Sequence, residues 1–250
     1  MHLPPVYIFS TSERTKDLCV YSYEKLGFSD IIVIEGESTF REKYLQFANH
    51  ASNSSHDFFV RADADQVAFS GILEMVKQCD LNKPCWTEGK YFDYFMNRRR
   101  GGTPHIIPKK AVSILADDNA CMPDSKKPET DFAKHLRAND LVSFLHSDFL
   151  TSLHEYEQFP SKVCNSFLNR LKRGHTYLYD LEYIQKNIPE HYLVALQHAI
   201  NIFNSRDFDN ADNMYYADFS ALDASFPCIE KNQIDEIYNK LKNVYDALIK

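Results

Sequence analysis

The sequence predicts an α/β protein with a mostly parallel central sheet flanked by helices and a C-terminal helical extension. Three observations carry this expectation. Three apolar, β-rich runs, Val6–Phe9, Ile31–Ile34 and Phe58–Val60, each end in polar residues. Segments of helical spacing separate them, and the chain after residue 177 reads as largely helical.

Val6–Phe9 stops at Ser10-Thr11-Ser12, and Glu13 to Leu26 then carries helical spacing up to Gly27. Ile31–Ile34 is a continuous apolar run, as expected of a strand covered on both faces, and it ends at Glu35. Phe40 to Ala51 reads as a helix, 53–56 as a loop, and Asp57–Arg61 as a strand entering Ala62-Asp63-Ala64-Asp65. A helix is expected over 70–79, and further strands over 84–87 and 91–95. Arg98-Arg99-Arg100-Gly101-Gly102 reads as a basic flexible loop, and a break at 106–108 precedes a helix over 109–115. Residues 117–128 form a polar loop before a helix starting near Glu129, and 192–203 and 234–249 are amphipathic helices around a loop over 204–213.

At 250 residues the chain suits one α/β domain with a smaller appendage, here divided as 1–180 and 181–250. A hydrophobic share of 44% with 25% charged residues excludes a disordered chain. The net charge of −7 opposes nucleic-acid binding, and an anionic ligand would need a local cation or metal. Six cysteines lack any CxxC pair, which suits free thiols in a reducing compartment. No apolar run approaches membrane-spanning length, and the N-terminus carries no secretory pattern. The expectation is a cytoplasmic protein; its 15 tyrosines and 18 phenylalanines leave peripheral attachment to the inner face of a membrane open.

Asp63 and Asp65, one residue apart on an extended segment, would point to the same side at a strand end. Paired carboxylates there suit a hard divalent cation, Mn²⁺ or Mg²⁺, with positions left for diphosphate oxygens. The pair comes third in the strand series, where an α/β protein gathers its ligand groups.

The opening strand with Ser10-Thr11-Ser12, the second strand ending at Glu35, and Phe58-Phe59-Val60-Arg61-Ala62-Asp63-Ala64-Asp65 resemble the nucleotide-sugar glycosyltransferases of the GT-A (Rossmann-like) fold. The resemblance is to the inverting group that elongates bacterial surface polysaccharides, and it covers about the first two-thirds of the chain. It implies a nucleotide-sugar-binding and catalytic domain over 1–180. The donor would be a nucleoside-diphosphate sugar and the acceptor a glycan or lipid-linked saccharide. It places Thr11, Glu13, Arg14, Glu35, Arg61 and Asp63 at the nucleotide, and Asp63, Asp65 and a histidine at the metal.

By the same resemblance Arg98–Gly102 would be the glycine-bearing loop near sugar and phosphate; three arginines on a solvated turn is the alternative. Glu129-Thr130-Asp131 would supply the acceptor base, with Asp131 the first choice and Glu129 the second, against ordinary helix capping. His154 is preferred to His146 as third metal ligand, while His191 and His198 read as helix surface. A sugar nucleotidyltransferase is disfavoured because Ser10–Arg14 holds no glycine. A nucleotide- or cation-binding module without transferase activity stays open. No GxxxxGK[ST] loop and no Ser or Cys hydrolase signature occur.

Overall fold

The computed structural model describes residues 3–36, 38–81, 85–125, 128–154, 158–172, 183, 186, 190–204, 223 and 229–250. Within these, seven strands form one sheet: β1 (Val6–Ser10), β2 (Ile31–Glu35), β3 (Phe58–Asp63), β4 (Gln66–Ala68), β5 (Trp86–Asp93), β6 (Arg98–Pro108) and β7 (Phe144–His154). Their spatial order is β2-β1-β3-β6-β5-β7-β4. β1, β2, β3, β5 and β7 run one way, and β4 and β6 run against them. The direction of each strand follows from its connection. Helices α1 (Lys16–Lys25) and α2 (Phe40–Ala51) return the chain for parallel pairing, whereas the short 94–97 connection can join β5 and β6 only as a hairpin.

That hairpin corrects two expectations. Of the runs 84–87 and 91–95, read as separate strands, residues 86–87 and 91–93 belong to the one strand β5, whose register against β6 shifts at Glu88/Gly89. Arg98–Gly102, read as a flexible loop, is the first half of β6. Strand alternation sends successive arginines to opposite faces, so three like charges in a row do not break the ladder. Arg100 donates to Asp93 Oδ2 at 3.1 Å and lies 5.8 Å from the Tyr91 ring.

Period two also explains the two cores. Tyr7, Phe9, Ile34, Phe59, Trp86 and Ile107 face α2, α4 (Lys109–Asp117) and α5 (Pro128–Ala138). Val6, Ile8, Val60, Ala62 and Ile106 face α1 and α3 (Gly71–Leu81). Both faces are covered, which is why β1 reads as an unbroken apolar run. The start of α2 is set by a capping box. Thr39 Oγ1 accepts from Glu42 N–H at 3.2 Å, and Glu42 Oε2 accepts from Thr39 N–H at 2.6 Å.

α6 (Pro160–Lys172) and α7 (Glu190–Asn204) pack around Phe95 in a third core. α8 (Ile234–Leu248) sets Tyr238, Leu241 and Tyr245 against Leu18, Phe69 and Leu150. The Tyr245 hydroxyl donates to Leu150 O at 2.9 Å and accepts from Gly71 N–H at 3.0 Å. α6 lies before the division expected at residue 180 and α7 after it, and the two share one core; residue 180 itself lies outside the described residues. Most of the loop expected over 204–213 lies outside the described residues. Among those described, no helix is long and apolar enough to cross a membrane.

Candidate active site

The three parallel strands deliver their carboxyl ends to one edge: Ser10 lies opposite Glu35, and Phe9 opposite Asp63. Beyond Asp63 the chain turns at 64–65 before β4. Thr15 Oγ1 holds this turn by donating to Ala64 O at 2.9 Å. The turn overturns the expectation that Asp63 and Asp65 point to one side. The segment between them is not extended, and the two carboxylates take separate partners.

Phe59, Arg61 and Asp63 share one face of β3, so Arg61 is carried beneath Asp63 into the core between sheet and α2. Its side chain has 0% exposure. The guanidinium carbon lies 4.6 Å from the Phe9 ring, 4.8 Å from Phe40 and 5.4 Å from Tyr44. It grips Asp63 with two hydrogen bonds of 2.6 and 3.1 Å and stands 3.8 Å from Glu129 Oε2. Arg61 therefore cannot touch a nucleotide, as the resemblance implied; it is an internal counter-ion. Asp63 Oδ2 also accepts from Thr103 Oγ1 at 2.7 Å, and Thr103 in turn accepts from Gln66 Nε2 at 2.7 Å. Burial pushes the Asp63 carboxyl above its ordinary range, against the pull of Arg61.

Helix α5 contributes Glu129, not Asp131. Asp131 turns aside to Ser125 Oγ at 2.7 Å and Lys134 Nζ at 3.3 Å. Glu129 Oε1 accepts from Tyr44 O–H and lies 2.6 Å from His105 Nδ1. Burial alone would raise the Glu129 carboxyl, but Arg61, His105 and the hydrogen bonds from His105 and Tyr44 outweigh it and hold it at about 2. An ionised carboxylate only accepts, so His105 Nδ1 carries the proton.

Two cavities flank the strand ends. One, of about 270 Å³, is lined by Thr11, Glu13 and Asp65 from the edge and by Phe95, Lys162 and Phe167 among others from the helical side. The other, of about 480 Å³, lies over β5, β6 and β7 beneath α5; Asp63, Trp86, Gly102, His105, Glu129 and His154 are among its lining. They meet at one pair: Asp65 Oδ2 of the first is 3.2 Å from His154 Nε2 of the second. His154 and its hydrogen bond pull the Asp65 carboxyl below its ordinary range, overcoming the opposing effect of burial.

A divalent cation suits Asp65 and His154 better than Asp63. Asp65 Oδ1 is enclosed without a hydrogen-bond partner among the described residues, whereas both Asp63 oxygens already accept from donors. Among the described residues no three His, Cys, Asp or Glu side chains gather closely enough to enclose a metal, so the remaining ligands would be substrate oxygens or water.

The other expected residues divide. Thr11 and Glu13 reach the first cavity, but Glu13 mainly ties down its own loop, accepting from Thr11 N–H at 2.7 Å and Ser10 Oγ at 2.8 Å. Arg14 lines neither cavity. Glu35 is exposed and ion-paired with Lys16 at 2.7 Å, outside both cavities. His146 lies by Glu88, 3.0 Å away, rather than by Asp65. The side chains of His191 and His198 lie outside the described residues.

Sequence reasoning missed His105, Lys162, Thr103 and Tyr44. A single histidine before Ile106-Ile107 was the one visible sign for the first; the others are ordinary residues until the fold brings them together.

No family model and no curated protein matches the chain. Solved structures give distant likenesses. A197 from STIV has 7% identity and a TM-score of 0.48, covering 63% of this chain and 90% of its own. A Bacillus anthracis protein described as a glucose-1-phosphate thymidylyltransferase, in complex with a sucrose, has 9% identity and a TM-score of 0.43, over 60% and 89%. A glycosyltransferase involved in glycosylation of the major capsid of PBCV-1 has 13% identity and a TM-score of 0.41, over 62% and 95%. Likeness at this level does not transfer chemistry from one chain to another.

Proposed function

We propose that the chain is a metal-dependent glycosyltransferase that moves a sugar from a nucleoside-diphosphate sugar to a hydroxyl of a glycan or lipid-linked saccharide, with inversion. The observation that carries this reading is the pair of cavities meeting at Asp65 and His154. One cavity offers a lysine, hydroxyls and a carboxylate suited to a nucleoside diphosphate with its cation. The other is a polar trough with aromatic walls suited to a saccharide. A donor in cytoplasmic supply and a peripheral site at the inner face of a membrane fit the same chemistry.

In this reading the diphosphate lies in the first cavity. Lys162, whose Nζ is 3.3 Å from Thr11 Oγ1, supplies positive charge there. Asp65 and His154 would hold Mn²⁺ or Mg²⁺, which offsets the charge of the departing diphosphate. Arg61 keeps Glu129 ionised and holds both Asp63 and Glu129 in place beside the second cavity, where the acceptor hydroxyl approaches the anomeric carbon. Holding both reactants in one geometry lowers the barrier by several kcal/mol, about 7–11 at best.

The test is a thermal-shift panel of UDP, GDP, CDP and dTDP, each with Mn²⁺ or EDTA, on wild type and Asp65→Ala. One nucleotide at about 100 times its Kd should raise Tm by about 5–10 °C with metal, and Asp65→Ala should abolish the rise. No stabilisation by any nucleotide would favour a module without transferase activity.

A further inference from the structure

We propose that His105 is the catalytic base that takes the acceptor proton, and that Glu129 is its positioning residue. This rests on the transferase reading and assigns the base to a different side chain from either carboxylate that opens α5.

Each carboxylate is disqualified by its partners. Asp131 faces Ser125 and Lys134 and does not line the cavity. Glu129 does line it, but Oε1 already accepts from Tyr44 and His105, and Oε2 faces Arg61. Held at about 2, Glu129 is also a poor proton acceptor at neutral pH.

His105 has the complementary arrangement. Its Nδ1–H is committed to Glu129 at 2.6 Å, so Nε2 is the ring nitrogen left to accept a proton. Nε2 has no partner among the described residues, and His105 lines the cavity of about 480 Å³. The ring is held in place: its centroid is 5.7 Å from that of Trp86, and β6 pairs His105 with Arg61 on one side and Glu88 on the other. Arg61 fixes Glu129 from below, so the chain Arg61, Glu129, His105 ends on one basic nitrogen at the cavity surface.

The step balances without a further reactant. The acceptor O–H gives its proton to Nε2, and its oxygen forms a bond to the anomeric carbon. The bond from that carbon to the diphosphate oxygen breaks, and its electron pair leaves with the nucleoside diphosphate. Glu129 stabilises the imidazolium that results.

Two measurements test the proposal. Long-range ¹H–¹⁵N spectra of the ligand-free wild type should show His105 as the Nδ1–H tautomer; an Nε2–H tautomer overturns it. In transfer assays His105→Ala should lower kcat at least 100-fold, leave KM within about threefold and keep the thermal shift given by the nucleotide. Free imidazole should restore at least tenfold, which a structural role would not allow. Retained kcat, or a loss that imidazole does not restore, overturns the base assignment. Failure of the transferase reading looks different: wild type itself consumes no nucleotide sugar, and the base role falls with it while the tautomer still reports on the dyad.

Discussion

Replacing Arg61 by Met should be among the costliest single changes in this chain. Met keeps much of the side-chain volume between Phe9, Phe40 and Tyr44 but removes the charge. Asp63 loses two hydrogen bonds of 2.6 and 3.1 Å, and Glu129 loses the cation 3.8 Å away. Breaking a buried pair by removing one partner costs about 3–5 kcal/mol, and the lost aromatic contacts lie within that range because the effects are not additive. For a chain of 250 residues this corresponds to a Tm lower by about 10 °C. The pH dependence has a definite sign. Without Arg61 the largest influence opposing burial is lost and the Glu129 carboxyl rises, so protonation relieves the variant as pH falls. In wild type the depressed carboxyl contributes stability that is fully present above its ordinary 4.5 and lost as pH falls toward about 2. Urea unfolding at pH 7 and pH 5 should therefore show a gap between wild type and Arg61→Met that narrows at pH 5. A loss below about 1 kcal/mol, or a gap that does not change with pH, would refute the reasoning.

Other changes have equally defined outcomes. Glu129→Gln should flatten the fall in wild-type stability between pH 4.5 and 2, a contribution of about 3 kcal/mol at most, read by acid titration of far-UV circular dichroism. Tyr245→Phe leaves Leu150 O and Gly71 N–H without their shared hydroxyl and should cost about 1–3 kcal/mol in denaturant unfolding, loosening α8. Lys162→Ala should weaken nucleoside-diphosphate binding about tenfold in calorimetry while leaving Tm without ligand within about 2 °C.

The sheet was legible where period and punctuation agree. Unbroken apolar runs at Val6–Phe9 and Ile31–Ile34 mark β1 and β2, and the helical spacing of Phe40 to Ala51 marks α2. The hairpin of β5 and β6 was hidden because Arg98-Arg99-Arg100 looks like a solvated turn; only pairing with Asp93 and Tyr91 shows it as a strand. Asp63 and Asp65 stood out as a pair, yet whether they share a ligand depends on the turn at 64–65, which local sequence does not announce. Arg61 was placed at the nucleotide by the resemblance, which does not show that its side chain turns into the core. The three aromatic rings that bury it come from β1 and α2, distant in the chain. His105 was overlooked for the same reason: its role depends on Glu129, across 24 residues and another secondary-structure element.

The most direct test follows the products. Wild type with Mn²⁺ would be incubated with a panel of nucleoside-diphosphate sugars and a mixture of saccharide acceptors, and phosphorus spectra recorded over time. The two-cavity account expects one donor to be consumed with release of its nucleoside diphosphate, and no release with EDTA or Asp65→Ala. A chain that leaves every donor intact but makes a nucleotide sugar and pyrophosphate from a nucleoside triphosphate and a sugar phosphate would contradict it.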